Sequence, residues 1–316
     1  MPEGAIKPLD PNKFRDPLTT AKGEPRASVP FSRLDTLWFN TGSLCNIECD
    51  NCYMDSSPKN DALAYIGATQ VAKFLDEAQA TTEAREVGFT GGEPFMNKEL
   101  AQMLEGVLSR GLEALVLTNA MKPLWQKRDE LLALKARHGA SQLTLRVSVD
   151  HFTLALHEKV RGPGTWEAME RGVGWLIENG FHVTVAGRTL WDEDEETSRR
   201  GYQQLFDAWG LTLDARDPGQ LILFPEMDAH VDVPEITTAC WGLLDVRPDA
   251  QMCATSRMVV LRQGAETPVV TPCTLLPYDP AFDLGRTLAG AKRDVALNHP
   301  HCAKFCVLGG ASCSTS

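Results

Sequence analysis

Cys45-Asn46-Ile47-Glu48-Cys49-Asp50-Asn51-Cys52-Tyr53 sets three cysteines at a three-then-two spacing, directly behind the apolar run Leu37-Trp38-Phe39-Asn40. The next cysteine is Cys240. A structural zinc site wants four ligands, usually as two close pairs. A four-iron cluster also has four corners to fill. Three thiolates in one tight loop would hold three irons and leave the fourth open to a small molecule.

Outward from this loop, short apolar runs alternate with amphipathic stretches. The pattern predicts strands at 36–40, 87–90, 114–118, 143–149, 182–188 and 221–224. Between them it predicts helices near 68–79, 98–109, 123–138, 166–178 and 192–209. Near-continuous apolar strands separated by helices indicate an α/β fold with a parallel sheet under helices. Six such units fit an open, partial (β/α)6 barrel, whose ligands gather at the carboxyl ends of the strands. The polar motifs fall at those ends. Thr90-Gly91-Gly92-Glu93-Pro94 follows the second strand, Thr118-Asn119 ends the third, Ser148 and Asp150 end the fourth, and Arg188 ends the fifth. The acid run Asp192-Glu193-Asp194-Glu195-Glu196 falls where a helix begins, and carboxylates there oppose the helix dipole favourably.

The 316 residues suffice for a large core, and the composition is ordinary globular. A net charge of −11 argues against nucleic acid or an anionic membrane surface as a nonspecific partner. No apolar run is long enough to span a membrane. Residues 1–30 carry proline and charge without an apolar signal core, so a cytoplasmic protein is expected. Nine cysteines there read as metal or redox ligands, not disulfides. The expected organisation is an extended arm over 1–33, the barrel over 34–225 and a small cysteine-rich α+β appendage over 226–316. Within the appendage, 257–261 and 268–271 read as two strands joined around Gly264.

The cysteine triplet at the end of a first strand, followed by Gly91-Gly92-Glu93-Pro94 after the second, resembles the radical S-adenosylmethionine superfamily. The resemblance implies a four-iron, four-sulfur cluster on Cys45, Cys49 and Cys52, with S-adenosylmethionine on the open iron. It implies that Gly91, Gly92, Glu93 and Pro94 hold the amino group of that cofactor, since glycines admit close backbone and a carboxylate accepts from an ammonium. Asn119, Ser148 and Arg188 are candidate cofactor contacts; Arg188 would clamp the carboxylate with its guanidinium fork. Many relatives carry an aromatic residue just before the third cysteine. Here that position is Asn51, and the aromatic is Tyr53, one residue after it. Asp150 is the candidate general base. Arg161, in Val160-Arg161-Gly162-Pro163-Gly164, matches a common family loop and reads as structural.

The appendage block Cys253–Cys273 and the tail with Cys302, Cys306 and Cys313 resemble a twitch or SPASM-type extension, implying an auxiliary iron–sulfur cluster. One four-iron cluster takes four thiolates. Cys253, Cys273, Cys302 and Cys306 are the expected set, with Cys313 the contender to displace one and Cys240 a buried thiol. A zinc site on these thiolates is the alternative.

The implied reaction is reductive cleavage of S-adenosylmethionine, with an electron from a reductant such as flavodoxin or ferredoxin, to a 5′-deoxyadenosyl radical that removes hydrogen from a substrate. A small molecule is the expected substrate, undergoing net oxidation or rearrangement, because the proline-rich residues before Thr36 do not form the leader-binding domain that many peptide-modifying relatives carry. A peptide or protein maturase is the alternative. A non-catalytic iron–sulfur or zinc protein is the third reading.

Overall fold

The computed structural model describes residues 7–81, 84–189, 193–226 and 228–313. Its main sheet contains β1 (Thr36–Asn40), β2 (Glu86–Thr90), β3 (Glu113–Thr118), β4 (Leu143–Ser148), β5 (His182–Thr189), β6 (Leu221–Pro225), β7 (Ser256–Val260) and β8 (Val269–Thr271). Their order is β6-β5-β4-β3-β2-β1-β7-β8. All neighbours are parallel except β8, which runs antiparallel to β7. The helices between Ala68 and Trp209 are α1 (Ala68–Thr81), α2 (Leu100–Leu108), α3 (Lys122–Gln126), α4 (Arg128–His138), α5 (Leu154–Arg161), α6 (Thr165–Glu178) and α7 (Glu195–Trp209). This is the partial barrel of parallel strands and covering helices that the alternation predicts.

Two features depart from the expectation. The sheet has a seventh parallel strand, because β7 from the expected appendage pairs with β1 in register from Thr36 opposite Ser256 to Phe39 opposite Val259. An uncovered β1 would be an apolar edge with unpaired backbone groups; β7 pairs it and is itself buried at all five positions. The stretch 123–138 forms two helices, since Lys127 leaves helical dihedrals at φ −104° and ψ 13°. The acid run caps α7 as expected in kind: Asp194 accepts from Thr197 N at 2.7 Å, and Glu195 and Glu196 lie in the first turn. Asp192 lies outside the described residues.

Side chains alternate across each strand. Leu37 and Phe39 of β1, with Val116 of β3, face the helices. Trp38, Leu115 and Leu117 face inward and join a second core built with Met258, Val260 and the C-terminal residues. The barrel interior and the C-terminal segment therefore share one apolar layer. The arm is tied to that segment too. Ser28–Val29 pairs antiparallel with Val295–Ala296, Leu9 N donates to His230 O at 2.7 Å, and buried Arg26 meets Glu235 at 2.5 Å.

Candidate functional site

The cysteine loop leaves β1 and is held against the turn that follows β2. Gly92 N donates to Gly42 O at 2.8 Å and Glu93 N to Leu44 O at 3.2 Å. A Cβ on Gly92 would lie 2.0 Å from Leu44 O, and one on Gly91, at φ +138°, would lie 2.4 Å from Gly42 O. The two glycines thus let the cysteine loop's own backbone pass. Their first task is to set the triplet.

Glu93 is buried, and its carboxylate joins two strand ends. Oε1 accepts from Thr118 Oγ1 at 2.8 Å and from Phe95 N at 3.2 Å, while Oε2 accepts from Asn119 N at 2.8 Å. Burial pushes its carboxyl up to about 7, against the pull of those three donors. A carboxylate offers about four acceptor positions, so three internal donors leave it one for a ligand. Pro94 starts the 3₁₀ turn that follows, Pro94–Met96, and is buried. The Asn119 side-chain amide donates to Asn46 Oδ1 at 2.9 Å and lies 3.9 Å from Cys45 Sγ. It therefore reaches into the triplet from the end of β3.

A single cavity beside the triplet brings together Cys49, Cys52, Tyr53, Ser148, Asp150 and Arg188. It also contains Arg161, which the sequence places only in a structural loop. The expected base, Asp150, is buried, and Arg161 holds both its oxygens: Nε to Oδ2 at 2.8 Å, Nη2 to Oδ1 at 3.2 Å. Its carboxylate is thus engaged in an ion pair. Burial would lower the Arg161 guanidinium, but Asp150 and Cys49 carry it upward. Arg188 donates to Asp50 O at 3.0 Å and Asn51 O at 3.3 Å, so it grips the cysteine loop's backbone. Asn51 itself has φ +51°, which such a tight loop requires. The Tyr53 ring packs edge-on to Phe224, 6.2 Å between centroids, and Phe224 meets Phe305 at 5.4 Å. Tyr53 therefore faces the inner core and leads towards the C-terminal cysteines.

The triplet's chemistry fits a cluster. Burial pushes the Cys45 thiol up to about 12 and the Cys49 thiol up to about 11. Such thiols become thiolates only where positive metal compensates them. Cys253, Cys273, Cys302 and Cys306 line one second cavity, closed by Met252, Leu276 and Leu297. Burial raises all four thiols, Cys253 to about 11 and Cys302 to about 12. Cys302 and Cys306 begin and near the end of a π-helical turn, Cys302–Val307. Cys313 does not line that cavity, although its charge acts on Cys273 and Cys306: Thr274 Oγ1 lies 3.3 Å from its sulfur, and Arg146 Nη1 donates to its carbonyl at 2.8 Å. Cys240 is half-buried, with Thr237 N 3.4 Å from its sulfur. Among the described residues no three metal-binding side chains converge as a single-ion site requires. A four-iron cluster takes its thiolates at separate corners and asks less convergence than a zinc ion.

Among the described residues no helix is long and apolar enough to cross a membrane. The chain is 27% identical over 262 residues to the antilisterial bacteriocin subtilosin biosynthesis protein AlbA of Bacillus subtilis, covering 76% of this chain and 54% of that protein. It is 27% identical over 144 residues to the AdoMet-dependent heme synthase of Oleidesulfovibrio alaskensis, 45% of this chain and 34% of that one. The chain thus spans about half the first relative and a third of the second. The solved structure of anSMEcpe with bound AdoMet shares the fold at a TM-score of 0.58 and 14% identity, covering 82% of this chain and 77% of that one. Residues 39–199, from inside β1 through the triplet, the Gly91-Gly92-Glu93 turn and the Asp150–Arg161 pair into α7, match the Radical SAM superfamily model, and the chain belongs to that superfamily.

Proposed function

We propose that this chain is a radical S-adenosylmethionine enzyme with one auxiliary cluster, acting on a small organic group held in the cavity beside the triplet. The reading rests chiefly on one observation: Cys253, Cys273, Cys302 and Cys306, drawn from three separate stretches, line one buried cavity in the apolar layer against which Tyr53, next to the triplet, also packs. When bound, the triplet cluster and S-adenosylmethionine supply a one-electron cleavage that yields a hydrogen-abstracting 5′-deoxyadenosyl radical. Cys45, Cys49 and Cys52 would hold the first cluster, and the other four thiols the auxiliary one. Gly91, Gly92 and Arg188 position the triplet loop, and Glu93 keeps one acceptor for the cofactor's ammonium. Ser148 and Asn119 flank the cofactor from the ends of β4 and β3. Asp150 fixes Arg161, whose guanidinium then presents positive charge beside Cys49. Leu117, Ala186 and Phe224 give the cavity apolar walls that keep water from a radical. In organisation, 34–225 supplies the radical site, 226–313 the auxiliary site, and the arm braces the latter.

A small metabolite bound in that cavity is the first reading. A peptide that inserts one side chain is the second reading, favoured by the match to a bacteriocin biosynthesis protein over 76% of this chain.

The test is anaerobic reconstitution followed by three measurements: iron, acid-labile sulfide and 5′-deoxyadenosine formed under strong reductant. About eight iron and eight sulfide per chain, with 5′-deoxyadenosine, supports both clusters. Zinc without sulfide overturns the reading. Cellular extract split by size then separates the substrates: stimulation of 5′-deoxyadenosine by the metabolite fraction supports the first, and by the peptide fraction the second.

A further inference from the structure

Among the described residues, Arg257, in β7, is a buried cation that no carboxylate contacts. It is 1% exposed. Its guanidinium donates only to carbonyls: Nε to Ala291 O at 2.9 Å, Nη1 to Cys253 O at 2.6 Å and Ser256 O at 2.7 Å, Nη2 to Arg293 O at 3.0 Å. The Phe31 ring covers it, 4.3 Å from Cζ to centroid. Arg26 and Arg161, also buried, each grip a glutamate or aspartate. Arg146 lacks a carboxylate among its hydrogen-bond partners as well, and it too faces a cysteine of this region, Cys313.

Taking an ion out of water without an opposite charge is strongly unfavourable. A guanidinium in a protein stays charged across neutral pH. The Nη1 contact to the Cys253 carbonyl, at 2.6 Å, sets the guanidinium behind the four-cysteine cavity, which Cys253 and Cys273 both line. As thiols they are neutral and compensate nothing. Once four thiolates surround a four-iron core, they outweigh its positive charge, and the cavity becomes anionic. The Arg257 side chain then has its counter-ion. Carbonyls and an aromatic face, rather than a carboxylate, hold it in place, leaving its charge uncancelled for the cavity.

We propose that Arg257 is the buried countercharge of an auxiliary cluster on Cys253, Cys273, Cys302 and Cys306, a positioning residue that raises the reduction potential of that cluster. The proposal rests on the auxiliary-cluster reading above. One electron from an external one-electron reductant adds one negative charge to the loaded cavity. A cation fixed beside it in a medium of low dielectric stabilises that added charge.

The test uses the full chain with Cys45, Cys49 and Cys52 replaced by alanine, so that the second cavity alone holds iron. Arg257→Gln removes the charge and keeps a donor; Arg257→Lys keeps the charge and loses the fork. Each is reconstituted, assayed for iron and sulfide, and poised at the midpoint potential of the Arg257 form, with the reduced fraction read by electron paramagnetic resonance. The expected ratio of reduced to oxidised cluster falls at least about tenfold in Arg257→Gln, about 59 mV for one electron, and recovers to within about threefold in Arg257→Lys. A fully loaded Arg257→Gln chain with an unchanged ratio overturns the proposal and leaves Arg257 a backbone staple. If the glutamine form fails to load, the lysine form decides: an unchanged ratio with a lower unfolding midpoint supports the proposal, and a tenfold fall overturns it. The auxiliary-cluster reading fails differently: the parent chain with Arg257 intact then binds no iron and sulfide at all.

Discussion

Arg161 grips Asp150 with two prongs, at 2.8 and 3.2 Å, within the cavity that holds Cys49. Their side chains are 11% and 6% exposed. Removing one charge strands the other in the interior, at a cost of about 3 kcal/mol or more. Asp150→Asn is therefore expected to lower the unfolding free energy by that order in urea titrations, and Asp150→Asn with Arg161→Met to recover part of it. An asparagine variant that stays as stable and loses only turnover would restore the general-base role.

Gly92→Ala is expected to empty the first site. Its Cβ would meet Leu44 O at 2.0 Å, and that carbonyl belongs to the backbone entering the triplet. Backbone cannot yield as a flexible side chain does, so the loop must move. Iron per reconstituted chain should fall by about four while the auxiliary iron stays. Full iron in the alanine variant would show that the loop tolerates the displacement.

Arg188→Ala releases the carbonyls of Asp50 and Asn51. The side chain is only half-buried, so stability should change by about 1 kcal/mol or less. The expected effect is kinetic: iron should leave the first site several-fold faster, on the order of fivefold, when a chelator is added, since about 1 kcal/mol corresponds to such a factor. An unchanged chelation rate would mean that the loop does not need this grip.

Among the C-terminal cysteines, serine at 253, 273, 302 or 306 should each reduce iron from about eight to about four per chain. Cys313→Ala should leave it near eight, because Cys313 lies outside their shared cavity. Loss of iron on changing Cys313 would place it among the ligands.

His157 predicts part of the acid sensitivity. It is 0% exposed, neither ring nitrogen has a hydrogen-bond partner among the described residues, and burial, then Arg161, lower its pKa from 6.5 to about 4. Below 6.5 the unfolded chain gains a proton that the folded chain accepts only near 4. Stability that is complete above pH 6.5 therefore drains as pH falls towards 4, by up to about 3 kcal/mol. His157→Leu should flatten that interval in denaturant titrations and cost little at pH 7. A profile as steep as that of the parent chain would assign the sensitivity elsewhere.

The local pattern carries much of this molecule. Apolar runs such as Leu37-Trp38-Phe39 and the helices between them read as a parallel sheet because strand and helix periods are properties of neighbouring residues. The triplet spacing and Gly91-Gly92-Glu93 read as a radical S-adenosylmethionine site for the same reason: a ligand loop and a tight turn are each written within a few residues. The four C-terminal thiols of the candidate set are named by the resemblance to a twitch or SPASM-type extension; the walls of the cavity they line come only with the fold.

What the tertiary structure alone decided are the partners. The pairing of Asp150 with Arg161 is invisible in the sequence because Arg161 lies eleven residues on, across the turn into α5, and only folding lays it back over the carboxylate. Arg188 looked like a ligand clamp, yet its fork closes on carbonyls 137 and 138 residues away. β7 looked like half of a separate hairpin, but it pairs with β1 because an apolar strand edge must be covered. Arg257 looked like an ordinary strand residue; packing between Phe31 and the cysteine walls makes it a buried charge. Sequence periodicity determines which elements form, since that is local. Which charge meets which group depends on how distant elements pack, and that is settled only once the apolar layers close.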